Sequence, residues 1–224
     1  MTIDWQPLWL TLRLAAATTL VLAVIGLPLA SWIAFSRSRF KPVFEALISM
    51  PLVLPPSVLG FYLLLAFSPQ GGFGAWLRDW FHVQLVFSFA GLLVASVLFS
   101  LPFMVQPLQA GFQHLPRSLL EASRTLGKHD LVTLFRVLLP NMKGAVLSAL
   151  VLSFAHTVGE FGVVLMIGGN IPGVTRVASI AIYDQVESLH YATAHVYSAV
   201  LLALSFGTLL LVYVMNRRWR RDDV

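Results

Sequence analysis

The sequence contains no cysteine and little charge. The first absence removes disulfide frameworks, thiolate metal sites and cysteine nucleophiles. The second excludes more. Asp, Glu, Lys and Arg make up 11% of the 224 residues, where roughly 25% is usual, too few to coat a water-facing globule of this size. Hydrophobic residues reach 58% and the mean hydropathy is +0.80, which rules out a soluble enzyme and a disordered chain alike. No segment is polar enough to form a soluble head, so several membrane spans in one domain, residues 1–224, are expected. A Gly-x4-Gly-Lys-Ser/Thr phosphate loop is also missing, as is a convincing internal repeat. His82, His114, His129, His190 and His195 lack metal-ligand spacing on a common face, so no metal site is assigned. Ser and Thr stand in no acid–base order, and no catalytic residue is expected.

What is present is apolar length. Five stretches, near 9–35, 44–67, 88–110, 145–168 and 193–215, can each cross about 30 Å of hydrocarbon. Polar connections at 36–43, 68–87, 111–144 and 169–192 separate them. This predicts an all-α integral membrane protein with about five transmembrane helices and its termini on opposite sides. One side carries Arg37, Arg39, Lys41, Arg117, Arg124, Lys128, Arg136, Lys143, Arg217, Arg218, Arg220 and Arg221, and the other only Arg13, Arg78 and Arg176. The positive-inside rule then places the N-terminus outside and the C-terminus inside. The net charge of +5 follows from that orientation and does not call for nucleic acid as a partner. The first apolar run far exceeds the apolar core of a cleaved leader and reads as a retained span. Trp5, Trp9, Trp76, Trp80, Phe81 and Trp219 fall at predicted membrane edges, where aromatic rings anchor against lipid.

Proline and glycine mark the stretches that do more than span. In the second, Met50-Pro51-Leu52-Val53-Leu54-Pro55-Pro56-Ser57-Val58-Leu59-Gly60 removes backbone donors near mid-membrane, so a regular helix cannot pass undistorted. Freed carbonyls at that depth need packed protein or a water-filled cavity, which makes Pro55, Pro56 and Ser57 pathway or gate candidates, with a structural kink as the other reading. Pro28, Pro102 and Pro107 read as ordinary kinks. Glu160, flanked by Gly159 and Gly162, is the acidic residue well inside a predicted span and a functional candidate by its cost there. His156, one turn earlier, can pair with it. A carboxylate beside the path would repel an anion, so Glu160 reads as a gate or packing residue, or as a structural hydrogen-bond group. Outside the fourth stretch, Asn170, Thr175 and Arg176 offer a guanidinium for an oxyanion or for a carboxylate on a docking protein, if it is not simply solvated.

The connection 111–144 is built for docking. Pro116 as first helical residue and Gly127 as left-handed stop bracket a short helix, Arg117 to Leu126. Leu119, Ala122, Ser123 and Leu126 form one small apolar face that needs a cover. Asp130 offers an N-cap for a second apolar helix, Leu131 to Leu139, ending at Pro140.

Glu121-Ala122-Ser123, three residues, Gly127, nine residues, Val137, one residue and Leu139-Pro140 resemble the EAA loop of bacterial ABC importer permeases, with every spacing kept and Ser123 and Val137 the departures. The resemblance implies that this loop is the coupling element docking into an ATP-hydrolysing subunit, with Glu121, Ala122, Ser123, Gly127, Val137, Leu139 and Pro140 as its positions. Leu52-Val53-Leu54-Pro55-Pro56, Ser57 to Tyr62, Gly159-Glu160-Phe161-Gly162, and Asn170-Ile171-Pro172-Gly173 with Thr175-Arg176 extend the likeness over most of the chain. These are similar to the molybdate and tungstate permeases and less closely to the sulfate ones. The implied assembly is a homodimer in lipid, two cytoplasmic ATPase subunits that hold the ATP and Mg, and an extracytoplasmic molybdate-binding protein, with no cofactor in this chain. A secondary carrier or an assembly subunit without an ATPase is the reading from another class.

Overall fold

The computed structural model describes residues 3–222, and among them the regular structure is entirely helical. The side chains of Arg117 and of residues 219–222 fall outside that description, and with them the anchor expected at Trp219 and the charges expected at Arg220 and Arg221.

The first long helix, α1 (Gln6–Phe35), runs unbroken through Pro28. Next come α2 (Lys41–Val53) and α3 (Pro56–Phe67), bent by 111° at the predicted proline run. The outer connection holds α4 (Gly72–Phe81) and leads to α5 (Phe89–His114), whose entry is capped by Ser88 accepting from the Gly91 N–H at 3.1 Å. In the long connection lie α6 (Arg117–Thr125), α7 (Asp130–Thr133), a π turn at Leu134–Leu138 and α8 (Leu139–Asn141). The chain continues as α9 (Lys143–Gly159), α10 (Gly162–Gly168), α11 (Ala178–Glu187) and α12 (Tyr191–Asp222).

Among the described residues three helices, α1, α5 and α12, are individually long and apolar enough to cross a membrane, and the count reaches five when two sharply bent pairs, α2 with α3 and Asp130–Asn141 with α9 (87°), are each one span. Half of the most apolar window of α5 is buried, against 33% for α1 and 6% for α12, so α5 is the central post and α12 the outermost helix. Two buried clusters stack along α1 and α5. Leu10, Leu14, Leu92 and Phe99 join α3 and α10 through Leu63, Val163 and Ile167, while Leu22, Ile33, Met104 and Phe112 join α2 and α9 through Ile48 and Ala149. Apolar atoms that meet in this way gain dispersion contacts that lipid tails would otherwise supply, so close fit decides the partner.

Several sequence expectations are corrected. The stretch 145–168 is not one helix, because the chain breaks at Glu160–Phe161 between α9 and α10. The polar connections 68–87 and 169–192, for which no element was expected, contain α4 and α11. Arg117 rather than Pro116 opens α6, and His129 rather than Asp130 caps α7, its Nδ1 accepting from the Leu131 N–H at 3.4 Å. The second loop helix does not end at Pro140. The π turn, closed by the Leu139 N–H on the Leu134 carbonyl, resets the register so that Pro140 falls in the first turn of α8, where its missing N–H costs no hydrogen bond.

Candidate functional site

Three places gather the sequence candidates: the connection 111–144, the two helix breaks and the loop after α10.

In the connection 111–144, α6 ends as the glycine predicts. Gly127 adopts φ +65, its N–H bonds to the Arg124 carbonyl at 2.9 Å, and the Lys128 N–H reaches back to the Ser123 carbonyl at 3.1 Å. Ser123 is buried at 5% exposure, and its hydroxyl meets that of Thr133 at 2.6 Å. Because the Thr133 hydroxyl donates to the His129 carbonyl at 3.2 Å, Ser123 is the donor of the pair, and α6 is clasped to α7. The expected apolar face is therefore divided. Ser123 and half-buried Leu119 turn inward, whereas Glu121, Ala122, Thr125 and Leu126, the last 74% exposed, form an outward ridge. Gly127 and Pro140 are exposed as well, Val137 and Leu139 are half-buried, and the buried side chain between them is Leu138, which joins Ile33 and Phe112. Thr133 escaped the sequence reading, since a hydroxyl ten residues away leaves no periodic trace.

At the first break Leu54 is extended, and the Pro55 carbonyl accepts from the Val58 and Leu59 N–H groups at 2.9 and 3.3 Å to start α3. Pro55, Pro56 and Ser57 are all exposed, in a place that α3 and α10 frame. A Cβ on Gly162 would stand 2.8 Å from the Pro56 Cβ, and one on Gly60 would stand 2.7 Å from Met166, so glycine alone lets the two short helices touch.

At the second break Glu160 is 5% exposed and neither carboxyl oxygen has a hydrogen-bond partner. The Ser96 hydroxyl of α5 faces it without reaching bonding geometry and is itself unpartnered. The Glu160 backbone is better served, its carbonyl accepting from the Ser179 hydroxyl of α11 at 2.6 Å. The expected His156–Glu160 pairing is corrected. His156 Nδ1 lies 2.9 Å from the Ser100 Oγ, and the imidazole stacks on Phe103 at 3.9 Å between centroids with Phe99 at 4.9 Å, so α5 holds the ring. Ser100 also meets the Thr157 hydroxyl at 3.1 Å, making a polar seam between two otherwise apolar helices.

In the outer loop, Thr175 is fully buried and donates to the Gly168 carbonyl at 2.7 Å while accepting from the Ile171 N–H at 3.2 Å. It shapes the loop and is closed to a ligand. The Arg176 Nε donates to Asn170 Oδ1 at 2.5 Å, the Asn170 amide donates to Asp184 at 3.1 Å, and the guanidinium stands 3.9 Å from the same carboxylate. The predicted cation is thus paired within the chain by Asp184, a residue the sequence pattern did not single out. Trp5, Trp9, Trp76, Trp80 and Phe81 are each between 46% and 76% exposed, at the start of α1 or on α4.

Comparison with known proteins adds the following. A family model described as a binding-protein-dependent transport system inner membrane component matches residues 26–221. The molybdenum transport system permease protein of Azotobacter vinelandii is 47% identical over 214 residues, 96% of this chain and 95% of that protein. A probable sulfate transport system permease of Chlorella vulgaris is 35% identical over 91% of this chain and 76% of its own length. Among solved structures, an inward-facing methionine ABC transporter superposes with TM-score 0.71 at 17% identity, covering 95% of this chain and 94% of that one.

Proposed function

The chain belongs to the family of binding-protein-dependent transport system inner membrane components, and from that premise we propose that it is the permease subunit of an ABC importer for molybdate. It is a multi-pass protein of the cytoplasmic membrane with the fold of an ABC importer permease. The observation that carries the substrate is the near-full-length likeness to a molybdenum permease at 47% identity, against 35% for the sulfate relative.

The working assembly is a homodimer with the path on its two-fold axis, since five spans at most are few to enclose a regulated conduit. Two ATPase subunits bind ATP and Mg on the side where the basic residues gather, and an extracytoplasmic molybdate-binding protein delivers the anion opposite. In support, the ridge of Glu121, Ala122, Thr125 and Leu126 stands open while its reverse side is pinned by the Ser123–Thr133 contact, so a push on the ridge moves α6 and α7 together. Leu138 transmits that motion to α1 and α5 through the buried cluster it shares with Ile33 and Phe112. Closure of the ATPases on ATP thereby becomes a rigid-body swing of the spans between two access states. The exposed Pro55–Ser57 turn and the buried Glu160 lie at the breaks, where such a swing changes the path; the Arg176 clasp orders the outer face for the binding protein.

The test is uptake of labelled molybdate by cells with and without the chain, with excess tungstate or sulfate as competitor. Uptake that requires the chain and yields to tungstate but not to sulfate is the expected result. Ready competition by sulfate would retain the importer and move its substrate to sulfate.

A further inference from the structure

Between the end of α1 and the coupling loop lies a groove of about 400 Å³ that nothing in the transport reading uses. Its lining is mostly apolar, with Pro28 and Trp32 of α1, Leu131 of α7 and Leu134 of the π turn. Arg124 of α6 and Asp130 of α7 line it too, and among the described residues no ion pair or hydrogen bond engages either side chain. Trp32 and Leu131 are 45% and 60% exposed, so the groove is open along one side.

Its place in the fold says what reaches it. Pro28 and Ser36 both line it and stand about 12 Å apart along the last turns of a spanning helix, so the groove runs from acyl depth to the level where phospholipid headgroups begin. A mostly apolar trough lined also by one cation and one carboxylate complements a zwitterion on a hydrocarbon tail. A headgroup with a phosphate and a primary ammonium satisfies both charges with donors of the correct sense, whereas a quaternary ammonium offers no N–H to Asp130 and a glycerol headgroup offers no cation.

We propose that this groove is a phospholipid site that selects a phosphoethanolamine headgroup, with the phosphate at Arg124 and the ammonium at Asp130. The lipid then bridges the end of α1 and the coupling loop, on the side of α6 opposite the exposed ridge. This goes beyond the transport reading and holds whichever anion is carried.

The test uses the full chain purified in mild detergent, exposed in turn to dioleoyl phosphatidylethanolamine, phosphatidylcholine and phosphatidylglycerol, with retained lipid counted by native mass spectrometry. The unfolding midpoint of each variant verifies that it is folded. Wild type should retain phosphatidylethanolamine about tenfold over phosphatidylcholine, as one charge-assisted hydrogen bond implies. Asp130→Asn should erase that preference and leave phosphatidylcholine binding unchanged, while Arg124→Ala should weaken every phospholipid and Arg124→Lys restore most of it. Leu134→Trp, which fills the trough and keeps both charges, should displace them all. Equal retention of the three headgroups, a preference for phosphatidylglycerol, or full retention by Leu134→Trp would each overturn the proposal. So would release of the lipid on addition of the ATPase subunit, which would give the groove to that protein.

Discussion

Two apolar stretches of this chain are broken, and they are broken by different means. Between α2 and α3 the covalent chain makes the break: Pro55 and Pro56 offer no N–H, and Leu54 is held extended before them. Between α9 and α10 there is no proline. That break is held from outside, by the Ser179 hydroxyl on the Glu160 carbonyl and by the seating of Pro56 on Gly162. The first would persist in an isolated peptide, whereas the second exists only while α3 and α11 are in place. A helix interrupted by its neighbours can be restored by moving them, so the second break is where this fold holds an alternative in reserve.

The comparison can be broken most forcefully at the point where the two breaks touch. Gly162→Leu drives a side chain into Pro56 and should cost about 3 kcal/mol, seen as a lower unfolding midpoint in detergent together with lost uptake. An unchanged midpoint would mean that the breaks do not lean on each other. Glu160→Met removes two unpartnered buried oxygens and should stabilise the protein by about 2 kcal/mol while uptake falls. A loss of stability instead would make the carboxyl part of what holds the break. Ser179→Ala deletes one donor and should cost about 1 kcal/mol, with a larger effect on uptake than Pro55→Ala if the outer helix sets the second break. Pro55→Ala itself should cost only about 0.5 kcal/mol, because Pro56 still interrupts the ladder and the change acts mainly on the unfolded chain.

What could be read beforehand divides along the same line. The proline break and the Gly127 stop were legible because each is written in neighbouring residues. The α9–α10 break was not, since Ser179 lies 19 residues beyond Glu160 and Pro56 more than 100 before it, and periodicity reports nothing at those separations. His156 and Glu160 are one turn apart and could pair, yet Ser100 and Phe103 on another helix hold the imidazole. Arg176 shows the same limit at the outer face, where Asp184 answers a charge that in sequence looked available. α4 and α11 were left open, because the connections that hold them were read only as polar spacers between spans.

The π turn at Leu134–Leu138 has a consequence for descent as well as for mechanics. A turn of this kind holds one residue more than a regular one, and it sits between the docking ridge and the span that begins at Lys143. Deleting a single residue inside the turn would let it close as a regular one with the faces on either side nearly kept, whereas deleting one just before it would leave the extra residue in place and rotate α6 and the start of α7 by about 100° relative to α8. In this protein the angular phase between the two sides of the joint is a heritable quantity of its own, one that a substitution leaves alone and a one-codon gap resets.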